Sequence, residues 1–259
     1  MDVVVCVKQI PNPDAPQAFD PESRTLLRPG PLVLDDSDTF SVEIALRIVE
    51  QAGGGQVTLV SVVPDGETSG IRTALAMGAD KAVLVSDPAL SGLDALGTAK
   101  ILAAVVRRAN PQLVLAATES SDGYTGTVPV QLAELLEYPA VTFAKHIEVK
   151  DGVLAVQRQT EEGYDEIECP LPAIVTVTAG VVEVRYPSFK GIMSAKSKPV
   201  EQLSVADLGL DPTTLGANGA RQEIVDIEKA EVRSAGQLVT DEGAGHESII
   251  TALESWKVL

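Results

Sequence analysis

Through its first two-thirds the chain alternates short apolar runs with stretches whose apolar positions recur every three or four residues. Asp2–Val7 is rich in β-branched residues, as expected of a strand buried on both faces. Asp38 can cap a helix that places Phe40, Ile44, Ala45, Ile48 and Val49 on one face, and Gly53–Gly55 ends it. Gln56–Val63 reads as the next strand. Thr68 or Ser69 opens a short helix through Ile71, Ala74, Leu75 and Met77, stopped at Gly78. Lys81–Ser86 is a third strand, Leu93–Arg108 a long amphipathic helix and Leu113–Ala116 a fourth strand. A polar loop then leads to a helix near Thr127–Leu136. This alternation predicts an α/β fold: a parallel sheet with helices on both faces.

After Pro139 the texture changes. Val141–Val149, Val153–Gln159, Tyr164–Glu168 and Ala173–Thr178 carry strand patterns with no helix between them, which predicts an antiparallel addition to the sheet. Beyond Pro199 the apolar stretches shorten, and Gly, Asp, Thr and Glu dominate 210–245. A final helix at about Ser248–Val258 presents Ile249, Ile250, Leu253 and Trp256. Such an extended arm cannot bury itself alone, so it is expected to pack on the domain or on a partner.

Composition removes several functions. The chain has 259 residues, 45% of them hydrophobic, enough for a sizeable core, and a net charge of −17. That charge argues against nucleic acid, whose phosphates need a basic face. No run approaches the ~20 apolar residues that span a bilayer, so membrane embedding is not expected. The opening Met1-Asp2-Val3 has no signal-peptide character, which predicts a cytoplasmic protein. Cys6 and Cys169 form no CxxC and no metal-ligand spacing, so they read as reduced thiols. With only two histidines, His146 and His246, each alone, a metal site or a triad is not expected. One segment departs from the acidic average. Val184–Val200 carries Arg185, Lys190, Lys196 and Lys198 and no acidic residue.

The usual nucleotide fingerprints are missing. No GxGxxG joins a strand to a helix, and there is no GxxxxGK[ST] and no GxSxG. Position is more informative, because ligands of open α/β sheets bind beyond the carboxyl ends of the strands. Three loops lie there: Val7–Asn12, Val63–Ser69 and Ala117–Val128. The last runs Ala117, Thr118, Glu119, Ser120, Ser121, Asp122, Gly123, Tyr124, Thr125, Gly126, Thr127, Val128, directly into a helix. It holds no Lys or Arg, so a phosphate there would rest on main-chain N–H groups, hydroxyls and the positive helix end. On these residues alone an ordinary capped strand-to-helix connection is the stronger reading.

Four collinear segments together resemble the β subunit of bacterial electron transfer flavoproteins. They are Val5-Cys6-Val7-Lys8-Gln9-Ile10-Pro11, then Ile71-Arg72-Thr73-Ala74-Leu75-Ala76-Met77-Gly78-Ala79-Asp80, then Glu119-Ser120-Ser121-Asp122-Gly123. The fourth, Arg185-Tyr186-Pro187-Ser188-Phe189-Lys190-Gly191-Ile192-Met193-Ser194-Ala195-Lys196, is the most specific. The likeness runs from the first strand to about Leu210, and 211–259 match in character only. It implies a Rossmann-like nucleotide-binding domain over 1–182, a partner-recognition loop over 183–200, and an arm over 201–259 that packs on a larger α subunit. It implies an electron carrier, not an enzyme, in a heterodimer with one FAD held chiefly by the α subunit.

The resemblance also implies a bound AMP, or in bifurcating relatives a second FAD. The site would comprise Cys6, the segment Asp35-Asp36-Ser37-Asp38, Val62 and the Ala117–Val128 loop. The recognition loop would dock on dehydrogenases, such as the acyl-CoA dehydrogenases of fatty acid oxidation, with a quinone reductase as downstream acceptor. Phe189 would be its apolar anchor, joined by Ile192 and Met193, with Arg185, Lys190, Lys196 and Lys198 steering. Read without the likeness, this stretch is a turn around Pro187 with solvated lysines. Two other classes remain: an ATP-pyrophosphatase-like enzyme, which needs a Ser-Gly-Gly-x-Asp-Ser loop that Lys8–Asp14 lack, and a stand-alone nucleotide-binding stress protein, which lacks the Tyr186–Lys196 segment.

Overall fold

The structure, a computed structural model, describes residues 1–63, 65–150, 152–228, 236, 238–241 and 243–259. In chain order its elements are β1 (Asp2–Cys6), β2 (Gln9–Ile10), β3 (Val33–Leu34), α1 (Asp36–Gln51), β4 (Gln56–Val62), α2 (Ser69–Met77) and β5 (Lys81–Val85). There follow α3 (Ala95–Ala109), β6 (Leu113–Ala117), α4 (Val128–Leu136), β7 (Ala140–Lys150), β8 (Val153–Gln159), β9 (Tyr164–Pro170) and β10 (Ala173–Val177). The last are α5 (Phe189–Ala195), β11 (Val200–Leu203), α6 (Gly216–Gly219) and α7 (Gly245–Ser255).

Nine strands form one sheet in the order β11-β5-β4-β1-β6-β10-β7-β8-β9. All pairs from β11 to β7 are parallel, and β8 and β9 continue the sheet antiparallel. The strands alternate their side chains between two cores. Val3 and Val5 pack with α1 and α2, whereas Val4, Val60 and Val114 pack with α3 and α4. The double-sided apolar strands therefore do what their continuous β-branched runs require: each is sandwiched between helices.

Two expectations need correction. Ala173–Val177 does not belong to an antiparallel addition; it inserts between β6 and β7 and runs parallel to both. Its five buried residues read as a central strand, but its neighbours in the chain, β8 and β9, are a hairpin that protrudes beyond β7. Helix α1 begins earlier than the pattern suggested. Its cap is Asp35, whose carboxylate accepts from the Ser37 amide, and Asp38 lies in the first turn.

The described chain clusters into two units, 1–224 and 225–259. Within the first, the stretch after Pro199 contributes β11 to the sheet edge, and Leu203, Val205 and Leu215 to the α3–α4 core. In the second, α7 contains no buried residue, and Ile249, Ile250 and Trp256 are exposed. Among the described residues no helix is long and apolar enough to cross a membrane.

Candidate functional site

Strand order reverses between β1 and β6. The chain leaves β1 for β4 and β5 on one side, then returns to lay β6 on the other. Loops diverging from such a point open a crevice at the carboxyl ends of the strands. Here the crevice joins the start of α1 to the loop between β6 and α4. Asp35, buried at 1% exposure, accepts through Oδ2 from the Ser121 amide at 2.7 Å and its hydroxyl at 3.1 Å. Asp38 accepts from the Lys8 amide at 2.6 Å. Burial raises its pKa to about 8, beyond what the Lys8 contacts restore. Burial, with Asp38 adding to it, pushes the neighbouring Cys6 thiol up to about 12.

Two cations enter this site that the loop itself does not carry. Lys8 reaches from the end of β1 to place Nζ 2.5 Å from Asp122 and 3.1 Å from Ser120 Oγ. Arg28, on the segment between β2 and β3, meets the other Asp122 oxygen at 2.6 Å. Burial alone would raise the Asp122 pKa, but the two cations win and hold it below the usual carboxylate range. Lys8 lies in the first of the four family-like segments and Arg28 in none of them. Neither could be assigned to the loop because each is more than ninety residues away along the chain.

The helix starts around the crevice differ in one respect. Asp35 caps α1 and Asp94 caps α3. The first amides of α2 go to Glu67, and that of Ile71 goes to Gln9 Oε1, a buried side chain whose role the sequence did not reveal. Helix α4, which starts where the polar loop ends, has no side-chain cap. The amides of Val128 and Val130, with Pro129 between them lacking one, and the positive dipole end suit an anion. Gly126 has φ +64°, where a β-branched residue would be strained, whereas a Cβ on Gly123 would meet nothing closer than 3.5 Å. Of the remaining candidates, Asp36, Glu119, Tyr124, Thr125, Gly126 and Thr127 are exposed around the rim. Ser37 and Val128 are half-buried, and Thr118 Oγ1 lies 3.4 Å from Thr176 Oγ1. Cys6 and Val62 close the floor against the α3–α4 core.

The second candidate region is an arch over α1 and α2. Residues 189–195 are helical, not loop, because Ser188 accepts from the Gly191 amide and caps the turn. At its apex Tyr186 is 95% and Phe189 82% exposed, with Ile192 and Met193 beside them. Lys190 and Lys196 are exposed. Arg185 and Lys198 are committed inward. Arg185 donates to Glu43 and Glu50, and Lys198 Nζ donates to the carbonyls of Leu75 and Ala79 at 3.0 and 2.6 Å. Burial opposes ionisation of Glu43, but the hydrogen bonds from Arg185 and Arg47 keep its pKa below the carboxylate norm.

A mostly parallel sheet flanked by helices, with a switch-point crevice at the carboxyl ends of its strands, places the chain in the Rossmann-like α/β class. Comparison with known proteins agrees. Residues 25–208 match the electron transfer flavoprotein domain. The electron transfer flavoprotein subunit beta of Mycobacterium tuberculosis is 36% identical over 264 residues, 100% of this chain and 99% of its own. That of Thermoanaerobacterium thermosaccharolyticum is 36% identical over 242 residues, 93% of this chain and 92% of its own. The caffeyl-CoA reductase-Etf complex subunit CarD of Acetobacterium woodii is 34% identical, again over 93% of this chain and 92% of its own. The chain belongs to the electron transfer flavoprotein family, as a β subunit. Such subunits are electron carriers, not enzymes, and a β subunit implies an α partner.

Proposed function

We propose that this chain and an α subunit form a heterodimeric carrier that takes electrons from dehydrogenases of the acyl-CoA class and passes them towards a quinone reductase, as in fatty acid oxidation. FAD, held largely by the α subunit, supplies the redox chemistry. The β crevice holds AMP. Asp35, Asp36 and Asp38 face the ligand's hydroxyls, and the Ala117–Val128 loop and the α4 amides take its phosphate. What carries the reading is that α4, which starts where the Ala117–Val128 loop ends, begins without a side-chain cap. The arch of 183–200 is the dehydrogenase dock, with Phe189, Ile192 and Met193 as its apolar contact and Lys190 and Lys196 as its free charges. The α7 region packs on the α subunit, and the complex works in the cytoplasm. The likeness to the Acetobacterium woodii subunit supports a second reading, in which a second FAD occupies the crevice.

Co-expression with the α subunit, followed by acid extraction and chromatography, separates these readings. A yellow 1:1 complex releasing FAD and AMP in equal amounts is expected. Two equivalents of FAD without AMP would establish the second reading, and no nucleotide beyond one FAD would remove the crevice assignment. For the dock, Phe189→Ala should weaken dehydrogenase binding at least about tenfold, as loss of a hot-spot aromatic does. Flavin content should be unchanged.

A further inference from the structure

The family resemblance makes Arg185 one of four steering charges. Its surroundings give it other work. Helix α1 grips the arch at its root with three side chains. Arg47 donates to the Glu183 carbonyl at 2.8 Å, and Glu43, 2% exposed at its side chain, accepts the Arg185 amide at 3.2 Å and its Nε at 2.7 Å. The two terminal nitrogens of Arg185 fork onto Glu50 at 2.6 and 3.2 Å. One of them also lies 3.3 Å from Glu43. A guanidinium so engaged has little donor capacity left for a partner.

The far end of the arch is held with equal economy of exposed charge. Arg72 donates to the carbonyls of Ala195 and Lys198 at 2.7 and 3.0 Å, and Ala195 is buried. Between the two ends α5 lies so close to α2 that a Cβ on Gly191 would stand 2.4 Å from the Ala76 carbonyl oxygen. The exposed apex therefore hangs from two fixed abutments.

We infer that Glu43 and Arg185 are a positioning pair that sets where the Phe189 apex stands, so that Arg185 serves docking through the geometry of the arch and not as a charge offered to the partner. The inference rests on the docking role proposed above. It predicts that lysine cannot replace Arg185, since a single ammonium cannot fork onto two carboxylates. It also predicts that added salt does not mask the defect, because the pair is half-buried and a steering effect is screened.

The test uses the αβ heterodimer and an acyl-CoA dehydrogenase reduced with its substrate, with flavin reduction followed by stopped flow against dehydrogenase concentration. Glu43→Gln and Arg185→Lys should each raise the half-saturating concentration about fivefold at both about 50 mM and about 300 mM salt. The limiting rate should be retained. A wild-type curve for Arg185→Lys, or a loss that disappears at the higher salt, would overturn the inference in favour of steering. Phe189→Ala run alongside separates the two levels. If it is normal, the dock itself is misplaced; if it is defective while Arg185→Lys is normal, only the positioning pair fails. Should Glu43→Gln not fold, amide exchange over 186–193 in Glu50→Gln against wild type decides. Faster exchange supports the pair, and unchanged exchange refutes it.

Discussion

The crevice and the arch both gather Lys and Arg, yet they use them in opposite ways. In the crevice Lys8 and Arg28 converge on one carboxylate, Asp122, in the loop between β6 and α4. Their pairing is an exchange of side-chain charges that a bound anion can rearrange. In the arch Arg72 and Lys198 are spent on main-chain carbonyls, and Arg185 on two glutamates of one helix. Those contacts fix backbone and leave little to rearrange. A basic stretch in a sequence is thus not the same as a basic surface: of the four cations in 185–198, only Lys190 and Lys196 stand free in solvent.

The largest effect should come from the buried end of the arch. Lys198→Glu replaces an ammonium at the carboxyl end of α2 with a carboxylate facing the Leu75 and Ala79 carbonyls, against both hydrogen bonding and the helix dipole. A loss of roughly 5–10 °C in melting temperature is expected for a domain of this size. Lys196→Glu should leave the melt unchanged and slow dehydrogenase association two- to threefold, roughly, at low salt only. Equal melts for the two variants, read by calorimetry, would erase the distinction between inward and outward cations.

An intermediate effect is expected at the crevice. Asp122→Ala leaves Lys8 and Arg28 without their shared carboxylate, so the complex stripped of nucleotide should melt about 3–5 °C lower, as a broken partly buried pair implies. Added AMP should restore more of the melt in the variant than in wild type, because its phosphate then meets two unpaired cations. No difference in the AMP-induced shift would mean that the two cations lie outside phosphate reach.

The last effect is a slope. Asp38 binds its proton more tightly folded, with a pKa of about 8, than an unfolded aspartate does. Its contribution to stability is therefore fully present below about pH 4 and is lost progressively as pH rises towards 8. Between pH 5 and pH 8 the wild-type melt should fall more steeply than that of Asp38→Asn. Parallel curves from differential scanning fluorimetry would show that Asp38 ionises freely in the fold.

Periodicity made the sheet legible because buried parallel strands and amphipathic helices impose it over many residues. It failed where the evidence lies across the fold. Ala173–Val177 has the composition of a central strand, but only its partners β6 and β7 reveal its direction. Two of the four residues of β11, Glu201 and Gln202 at its centre, are polar, as suits a sheet edge, so no apolar run announced them. The crevice loop was legible from its position after a strand. Its cations were not, since Lys8 and Arg28 come from separate segments. Glu43 looked like one more acidic residue on an amphipathic helix, and nothing near it in sequence hinted that Arg185 would bury it.

The outer edge of the sheet carries a last consequence. Among the described residues strand β9 pairs only with β8, and its exposed residues include Tyr164, Asp165, Glu166 and Glu168. An unpaired edge is an invitation to a second copy, since its free amides and carbonyls can template another strand. Here each incoming copy would bring its own carboxylates against these, so the edge repels itself. The carboxylates along β9 thus disfavour fibre-like stacking of one copy on the next.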